Sequence, residues 1–364
     1  MKKIVALALC SLFIISAAEA RTLYVNAKRP NNKGNGLKAS TAKKTIQAAI
    51  NVARKGDTIL VYPGTYAPIK TNNKKITIKS IKGKSKTKIK AHNSAFSNRH
   101  ALNLGKGNAT TVIGFFVCQS FAEQYGYGGN VDGAAFGGIV RNSTFSRMGG
   151  MYDANKVDHT FYKTRLADCV LEHCAPGTSG MYMLYGSSLN RCKITGSGTR
   201  YGGNFSKAIV KKCKLINCLV TGNVDMLEPE WTQLEFIGCT LLNCTVAENA
   251  DVRLKSSVAV NSVFYKSGYH VSNSKAKNRF SHCLLSGSPR FVDDPVLWAE
   301  EVQRDYWTET TYRFFSGDCR LRRGSPCIDK GKLTEAQKKL VGTKDLAGRK
   351  RIRGKAIDCG CYEY

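Results

Sequence analysis

Residues 211–223 read KKCKLINCLVTGN, and residues 237–249 read IGCTLLNCTVAEN. Both hold two cysteines with four residues between them, and both place an apolar pair in that gap, Leu215-Ile216 and Leu241-Leu242. A metal site, a disulfide framework and a repeat that needs a small residue at a fixed place all produce such pairs. The flanking chain favours the repeat. A small residue recurs at Ser143, Cys169, Cys192, Cys213, Cys239, Ser262 and Cys283, in steps of 21–26 residues. Two positions later stand Phe145, Leu171, Ile194, Leu215, Leu241, Phe264 and Leu285, apolar each time. That is the period of a strand with one buried face. Four positions after the small residue come Arg147, His173, Gly196, Asn217, Asn243, Lys266 and Gly287. Glycine, asparagine and histidine tolerate positive φ, so the strand is expected to turn a corner there.

A short strand, a bend and a return after one period describe a coil that stacks on itself, with parallel strands about 4.8 Å apart. Like residues then form ladders along the axis, and Cys and Ser act as small buried packing units. A zinc site gathers four ligands at one point, whereas these pairs recur with the coil and serine replaces cysteine within the frame. Ladder disulfides are the alternative that an exported chain keeps open, with 13 of the 14 cysteines left once Cys10 is removed with an N-terminal signal.

The chain opens MKKIVALALCSLFIISAAEA, with basic Lys2 and Lys3, an apolar run from Ile4 to Ile15, and the small-residue site Ala18-Glu19-Ala20. These are the parts of a secretory signal peptide over residues 1–20, with cleavage expected after Ala20. No later stretch reaches the roughly 18 consecutive apolar residues of a transmembrane helix. The expectation is a secreted, soluble, monomeric protein. Loss of Lys2, Lys3 and Glu19 changes the net charge from +30 to +29. So basic a protein keeps polyanionic company, and for an exported one an acidic or sulfated polysaccharide is a better partner than nucleic acid. The sequence shows no nucleotide-binding loop, Ser-His-Asp order or metalloprotease motif.

In TIQAAINVARKGDTILVYPGTY (45–66), Ile46, Ala49, Ile50 and Ala53 form one helical stripe, Gly56 is the expected stop, and Thr58–Tyr62 read as a buried strand. A helix here is expected to cap the open end of the stack, shielding strand edges from water.

With LYVNA (23–27), this segment resembles the start of right-handed parallel β-helix proteins of the pectate-lyase-like kind. The tail resembles the end of bacterial "choice-of-anchor Q" β-helix proteins. It carries PRFVDDP (289–295), RLRRGSPCIDKG (320–331), KDLAGRKRI (344–352) and IDCGCYEY (357–364). Ser325, Pro326, Ile328, Asp329 and Gly331 match the first block of that family's tail; Asp345, Gly348 and Arg351 match the second; Asp358, Gly360, Tyr362 and Glu363 match the third. Cys359 and Cys361 depart from its usual Ile and Ala, and no sorting anchor follows Tyr364. Cys319, Cys327, Cys359 and Cys361 form the one cluster where disulfides are expected, with connectivity open. The resemblance implies an all-β fold: an N-terminal cap and coils over 21–288, and an irregular C-terminal cap over 289–364.

The fold hosts lyases, hydrolases and adhesins, so it leaves activity open. β-Elimination on an acidic glycan needs a base, and a cation beside the uronate carboxylate, either Ca²⁺ or a basic side chain. Three stretches supply candidates. Asp225, Glu228, Glu230 and Trp231 lie in one coil, with Asp251, Arg253 and Lys255 in the next. Asp225 and Asp251 fall equally far after Cys213 and Cys239, which would stack them as a Ca²⁺ pair. Residues 123–165 gather Tyr125, Tyr127, Tyr152, Lys163 and Arg165 as a sugar-binding set, with His159 read as a surface imidazole. Lys84, Lys86, Lys88 and Lys90 alternate with Ser85, Thr87 and Ile89, which puts all four ammoniums on one strand face. Two functions follow: an acidic-polysaccharide-binding protein that is in one version a polysaccharide lyase, or a non-catalytic structural or adhesive rod.

Overall fold

The computed structural model describes residues 19–91, 100–119, 133–149, 159–172, 174, 182–195, 207–221, 233–247, 251–265, 269–270, 278–285, 296–304, 307–315 and 319–364. The chain winds as a right-handed parallel β-helix with three walls. The first sheet has eleven strands, the second and third nine each, and every pairing within them is parallel and links one coil to the next. One coil runs through Ile139–Arg141 in the first sheet, Thr144–Ser146 in the second and His159–Tyr162 in the third, then returns to the first at Arg165–Ala167. Return crossovers of this kind are right-handed almost without exception.

Three inward columns fill the core. In the first sheet Val140 stacks on Val112 and Leu166, and Leu215 on Leu189 and Leu241. Phe145, Leu171 and Ile194 do the same in the second sheet, and Phe161, Leu184 and Val210 in the third. All are buried, and each such side chain removed from water stabilises the fold by roughly 1.5–3 kcal/mol. Of the expected apolar series only Leu285 is exposed, at the last coil, where the ladder ends.

The corners are left-handed. Asn142, Asp168, Arg191, Asn217, Asn243, Asn261 and His282 all have positive φ between the first and second sheets. Lys163, Gly186, Lys212, Gly238 and Ser256 do so between the third and first. At the same corner Gly137 admits no side chain, since a Cβ there would sit 1.7 Å from the Gly105 carbonyl oxygen.

Each corner is followed by its own small-residue ladder, which corrects the single series read from the sequence. Ser143, Cys169, Cys192, Cys218, Cys244, Ser262 and Cys283 follow the first-to-second corner, where Lys193 N donates to Cys169 O and Leu219 N to Cys192 O, both at 3.0 Å. Ser187, Cys213, Cys239 and Ser257 follow the third-to-first corner, where Thr240 N donates to Cys213 O at 2.9 Å. Cys192 therefore stacks under Cys218, while Cys213 stacks under Cys239. The two cysteines of each quoted pair flank one three-residue strand, Lys214–Ile216 or Thr240–Leu242, and belong to different ladders. The series crossed over because both corners carry the same local frame, a small residue and then an in–out alternation. Along the ladders the cysteines are thiols. Burial pushes the pKa values of Cys169, Cys192 and Cys218 well up, so they stay protonated.

Helix α1 (Ile46–Val52) packs on the strands Thr22–Val25, Thr58–Val61 and Ile69–Lys70 at the start of the stack, as expected of a cap. Its stop comes before Gly56. Lys74 Nζ binds the carbonyls of Ile50, Asn51 and Ala53 at 2.7–3.0 Å, placing a cation on the helix C-terminus.

The tail, residues 319–364, lies along the outside of the last coils rather than forming only an end piece. Cys319, Leu321, Cys327, Cys361 and Tyr362 cover outward Leu219, Ala247 and Val263 of the second sheet. Val341, at the end of α2 (Glu335–Val341), and Ile357 cover Ile216, Leu242 and Val260 of the first. Between these patches run three stacked corner asparagines. Asn217 Nδ2 donates to Val341 O at 2.9 Å, Asn243 Nδ2 to Asp358 O at 3.3 Å, and Lys332 N donates to Asn261 Oδ1 at 2.9 Å. Inside the tail, fully buried Arg351 donates to Gly360 O at 2.6 Å and lies 3.4 Å from the Glu363 carboxylate. Desolvation outweighs that attraction and raises the Glu363 pKa to about 8.

Candidate functional site

The connections 120–132, 147–158, 196–206 and 222–232 each join a strand of the second sheet to the next strand of the third. The third sheet receives the chain after each of these connections, and its outward side chains form two columns. Register puts Phe136 beside Tyr162, Tyr162 beside Tyr185, Tyr185 beside Lys211, and Ile237 beside Lys255 in the first column. The second runs His159, Tyr182, Ile209, Glu235 and Arg253.

The aromatic rings stack along the helix axis. Phe136 and Tyr162 have centroids 5.1 Å apart and planes 12° apart, and Tyr162 and Tyr185 follow at 5.6 Å and 9°. His159 stacks on Tyr182 at 5.6 Å and 23°, so the histidine read as a surface imidazole belongs to the ring ladder. Such pairs contribute about 0.5–1.5 kcal/mol each beyond their buried area. Stacking also covers the ring faces, leaving edges and phenol hydroxyls to face outward.

Cations border the rings. Lys163 Nζ lies 5.1 Å from the Tyr162 centroid, Lys212 Nζ 5.9 Å from that of Tyr185, and Lys211 Nζ 5.0 Å from that of Tyr182. Lys211 also donates to the Tyr182 hydroxyl at 3.0 Å, a bond that raises its pKa and keeps it charged. Lys163 and Lys212 are corner residues with positive φ, so the backbone bend itself throws their side chains to the edge of this wall. Further along, buried Glu235 pairs with Lys255, Oε1 to Nζ 2.6 Å, and stands in register with Arg253.

The sequence candidates are distributed over more than one wall. Lys163, Arg253 and Lys255 lie on the third-sheet face or its edge. Arg165 is exposed at the start of Arg165–Ala167, around the corner on the first sheet. Lys88 and Lys90 are on the second sheet in Thr87–Ala91, with Lys88 Nζ 5.9 Å from the Phe116 ring. Lys84 and Lys86 are in the preceding turn. The four-lysine stripe is thus corrected to two strand lysines, because the strand begins only at Thr87. Asp251 opens the strand Asp251–Lys255, and its register partner is Gln233. Asp225, Glu228, Glu230, Trp231, Tyr125, Tyr127 and Tyr152 lie outside the described residues. Among the described residues no three His, Cys, Asp or Glu side chains converge as metal ligands.

Sequence reasoning missed Phe136, Tyr182, Tyr185, Lys211, Lys212 and Glu235. A signal for most of them exists. An aromatic or basic residue stands directly before most third-to-first corner residues, in Phe136-Gly137-Gly138, Tyr162-Lys163-Thr164, Tyr185-Gly186-Ser187 and Lys211-Lys212-Cys213, with Ile237 before Gly238 the exception.

No protein-family model matches the sequence, and no curated protein matches it. Solved structures of similar fold include a pectate lyase, Pel9A, at 16% identity and a TM-score of 0.44, covering 94% of this chain and 96% of that one. A rhamnogalacturonan lyase is similar at 12% identity and a TM-score of 0.43, over 88% of this chain and 98% of that one. Pectin methylesterase PemA from Erwinia chrysanthemi follows at 10% identity and a TM-score of 0.37, over 72% and 93%.

Proposed function

We propose that this chain is an exported β-helix protein that binds an acidic polysaccharide along the outer face of its third sheet. The observation that carries this reading is the placement of Lys163, Lys211 and Lys212 around a ladder of stacked rings. The covered ring faces leave phenol hydroxyls and ammoniums as the outward groups, which suit a polymer bearing hydroxyls and regularly spaced anions better than a neutral apolar ligand. Among the described side chains of this face Glu235 is the one carboxylate, and Lys255 neutralises it.

The test is retention on immobilised polyuronate and sulfated glycan across a salt gradient. Wild type is expected to bind with strong salt dependence. The Lys163→Ala/Lys211→Ala/Lys212→Ala variant is expected to elute at markedly lower salt. Equal elution of the two would sink the assignment of this face.

The lyase version has one observation in its favour, the Glu235–Lys255 pair with Arg253 alongside, which offers a carboxylate base next to cations on the binding face. It predicts unsaturated uronate ends that accumulate with wild type and not with Glu235→Gln, whether or not a chelator is present. A non-catalytic rod retains the polymer and releases no such product.

A further inference from the structure

The tail cysteines differ from the ladder cysteines in how they meet their neighbours. In-register parallel strands hold adjacent ladder Cβ atoms about 4.8 Å apart, beyond the roughly 3.5–4.5 Å that a disulfide spans. In this structure the tail cysteines, like the ladder cysteines, are thiols; ladder Cys169 Sγ donates to Ala167 O at 3.3 Å and Cys218 Sγ to Ile216 O at 3.2 Å. In the tail the chain segments around Cys327 and Cys359 run antiparallel, with Cys359 N donating to Cys327 O at 3.0 Å and Gly331 N to Ile357 O at 2.8 Å. Neither residue lies in a strand, but the backbone bond between them makes Cys327 and Cys359 direct neighbours across two chain segments, the kind of approach a disulfide needs, since it spans α-carbons roughly 4.4–6.8 Å apart. Both cysteines are buried in one apolar cluster against the second sheet. The tail sulfurs do not gather about one point as zinc ligands would, since no three ligating groups converge among the described residues.

We propose that Cys327 and Cys359 are a disulfide site that locks the tail onto the outer wall, while the ladder cysteines remain thiols. Two S–H bonds break and one S–S bond forms. The two protons and two electrons pass to a disulfide oxidant, such as oxidised glutathione, which becomes two thiols. Exchange requires a thiolate, and burial pushes Cys327 up to about 11 and Cys359 up to about 12 once the tail is docked. Oxidation therefore belongs to the undocked tail, and docking then shields the bond. The nearest competing partner is Cys283, because Cys359 Sγ also reaches the carbonyl of the preceding residue, His282, at 3.0 Å.

The protein is folded in a glutathione redox buffer, alkylated without reduction, digested and mapped by mass spectrometry. The expected product is a reducible link between the peptides of Cys327 and Cys359, with Cys169, Cys192, Cys218 and Cys244 recovered as alkylated thiols after denaturation. Reduction should speed proteolytic release of the tail about a hundredfold. The Cys327→Ser/Cys359→Ser variant should be cleaved at the reduced wild-type rate with or without reductant. Recovery of both cysteines as alkylated thiols, a Cys283–Cys359 link, or a serine variant as resistant as oxidised wild type would each overturn the proposal.

Discussion

Replacing Asn217 by alanine tests how the tail is held. Asn217 is fully buried, has φ 52° and donates from Nδ2 to Val341 O at 2.9 Å. Alanine gives up the local tolerance of left-handed backbone that asparagine has, at a cost of about 1 kcal/mol. It also removes a hydrogen bond of about 1 kcal/mol and strands a buried carbonyl for roughly another 1 kcal/mol. The total is about 3 kcal/mol, of which the side-chain part, about 2 kcal/mol, acts on tail docking. A 2 kcal/mol change raises the tail-opening equilibrium about 30-fold. Asn142 supplies the control, since it turns the same corner with φ 46° at an exposed position. Asn142→Ala should cost only the backbone share and leave tail opening unchanged. Asn217→Gly, which relieves the backbone, should keep the 30-fold effect. Opening is read as the rate of limited proteolysis in residues 319–364, checked by hydrogen exchange of Val341 and its neighbours. Equal tail cleavage in Asn217→Ala and Asn142→Ala would show that the asparagine column does not hold the tail.

Tyr162→Ala interrupts the ring stack on both sides and should destabilise the fold by about 1–3 kcal/mol from the two lost pairs alone, read by chemical denaturation. Cys192→Ser should cost under about 1.5 kcal/mol, since serine already fills the same ladder at Ser143 and Ser262, whereas Cys192→Leu should overpack it by about 1–3 kcal/mol. Because the folded pKa of Glu363 is raised to about 8 from an ordinary value near 4.5, its contribution to tail docking is complete below pH 4.5 and is lost as pH rises towards 8. Proteolytic opening of the tail should accordingly increase over that interval, and Glu363→Gln should flatten the profile. An unchanged profile in Glu363→Gln would assign the pH response to another group.

The spiral was legible because Cys213 and Cys239, with Leu215 and Leu241 behind them, repeat a frame that only stacking explains. Which corner each cysteine occupied was not legible, since Cys192 and Cys213 are followed by the same alternation and differ only in the wall they introduce. Arg253 and Lys255 could be placed together because they share one strand. Glu235 escaped notice because QLEFI (233–237) reads as an ordinary alternating strand, and its burial comes from packing that sequence spacing does not encode. The tail blocks read as a terminal cap, yet Asp358, Arg351 and Glu363 bury their charges against one another while the segment lies flat on coils more than a hundred residues earlier in the chain. Contacts of that range leave no periodic trace.

A wall assembled turn by turn has an adjustable length. Each turn meets only the one before and the one after it, so a whole turn is the natural unit of gain or loss. Excising residues 169–191 would leave Asp168 followed by Cys192, keeping a thiol at the junction and the direction of every remaining strand. The face offered to a polymer would shorten by about 4.8 Å, one strand spacing. Reach along a glycan would then be set by how many turns the chain encodes, and only its fine preferences by the side chains each turn displays.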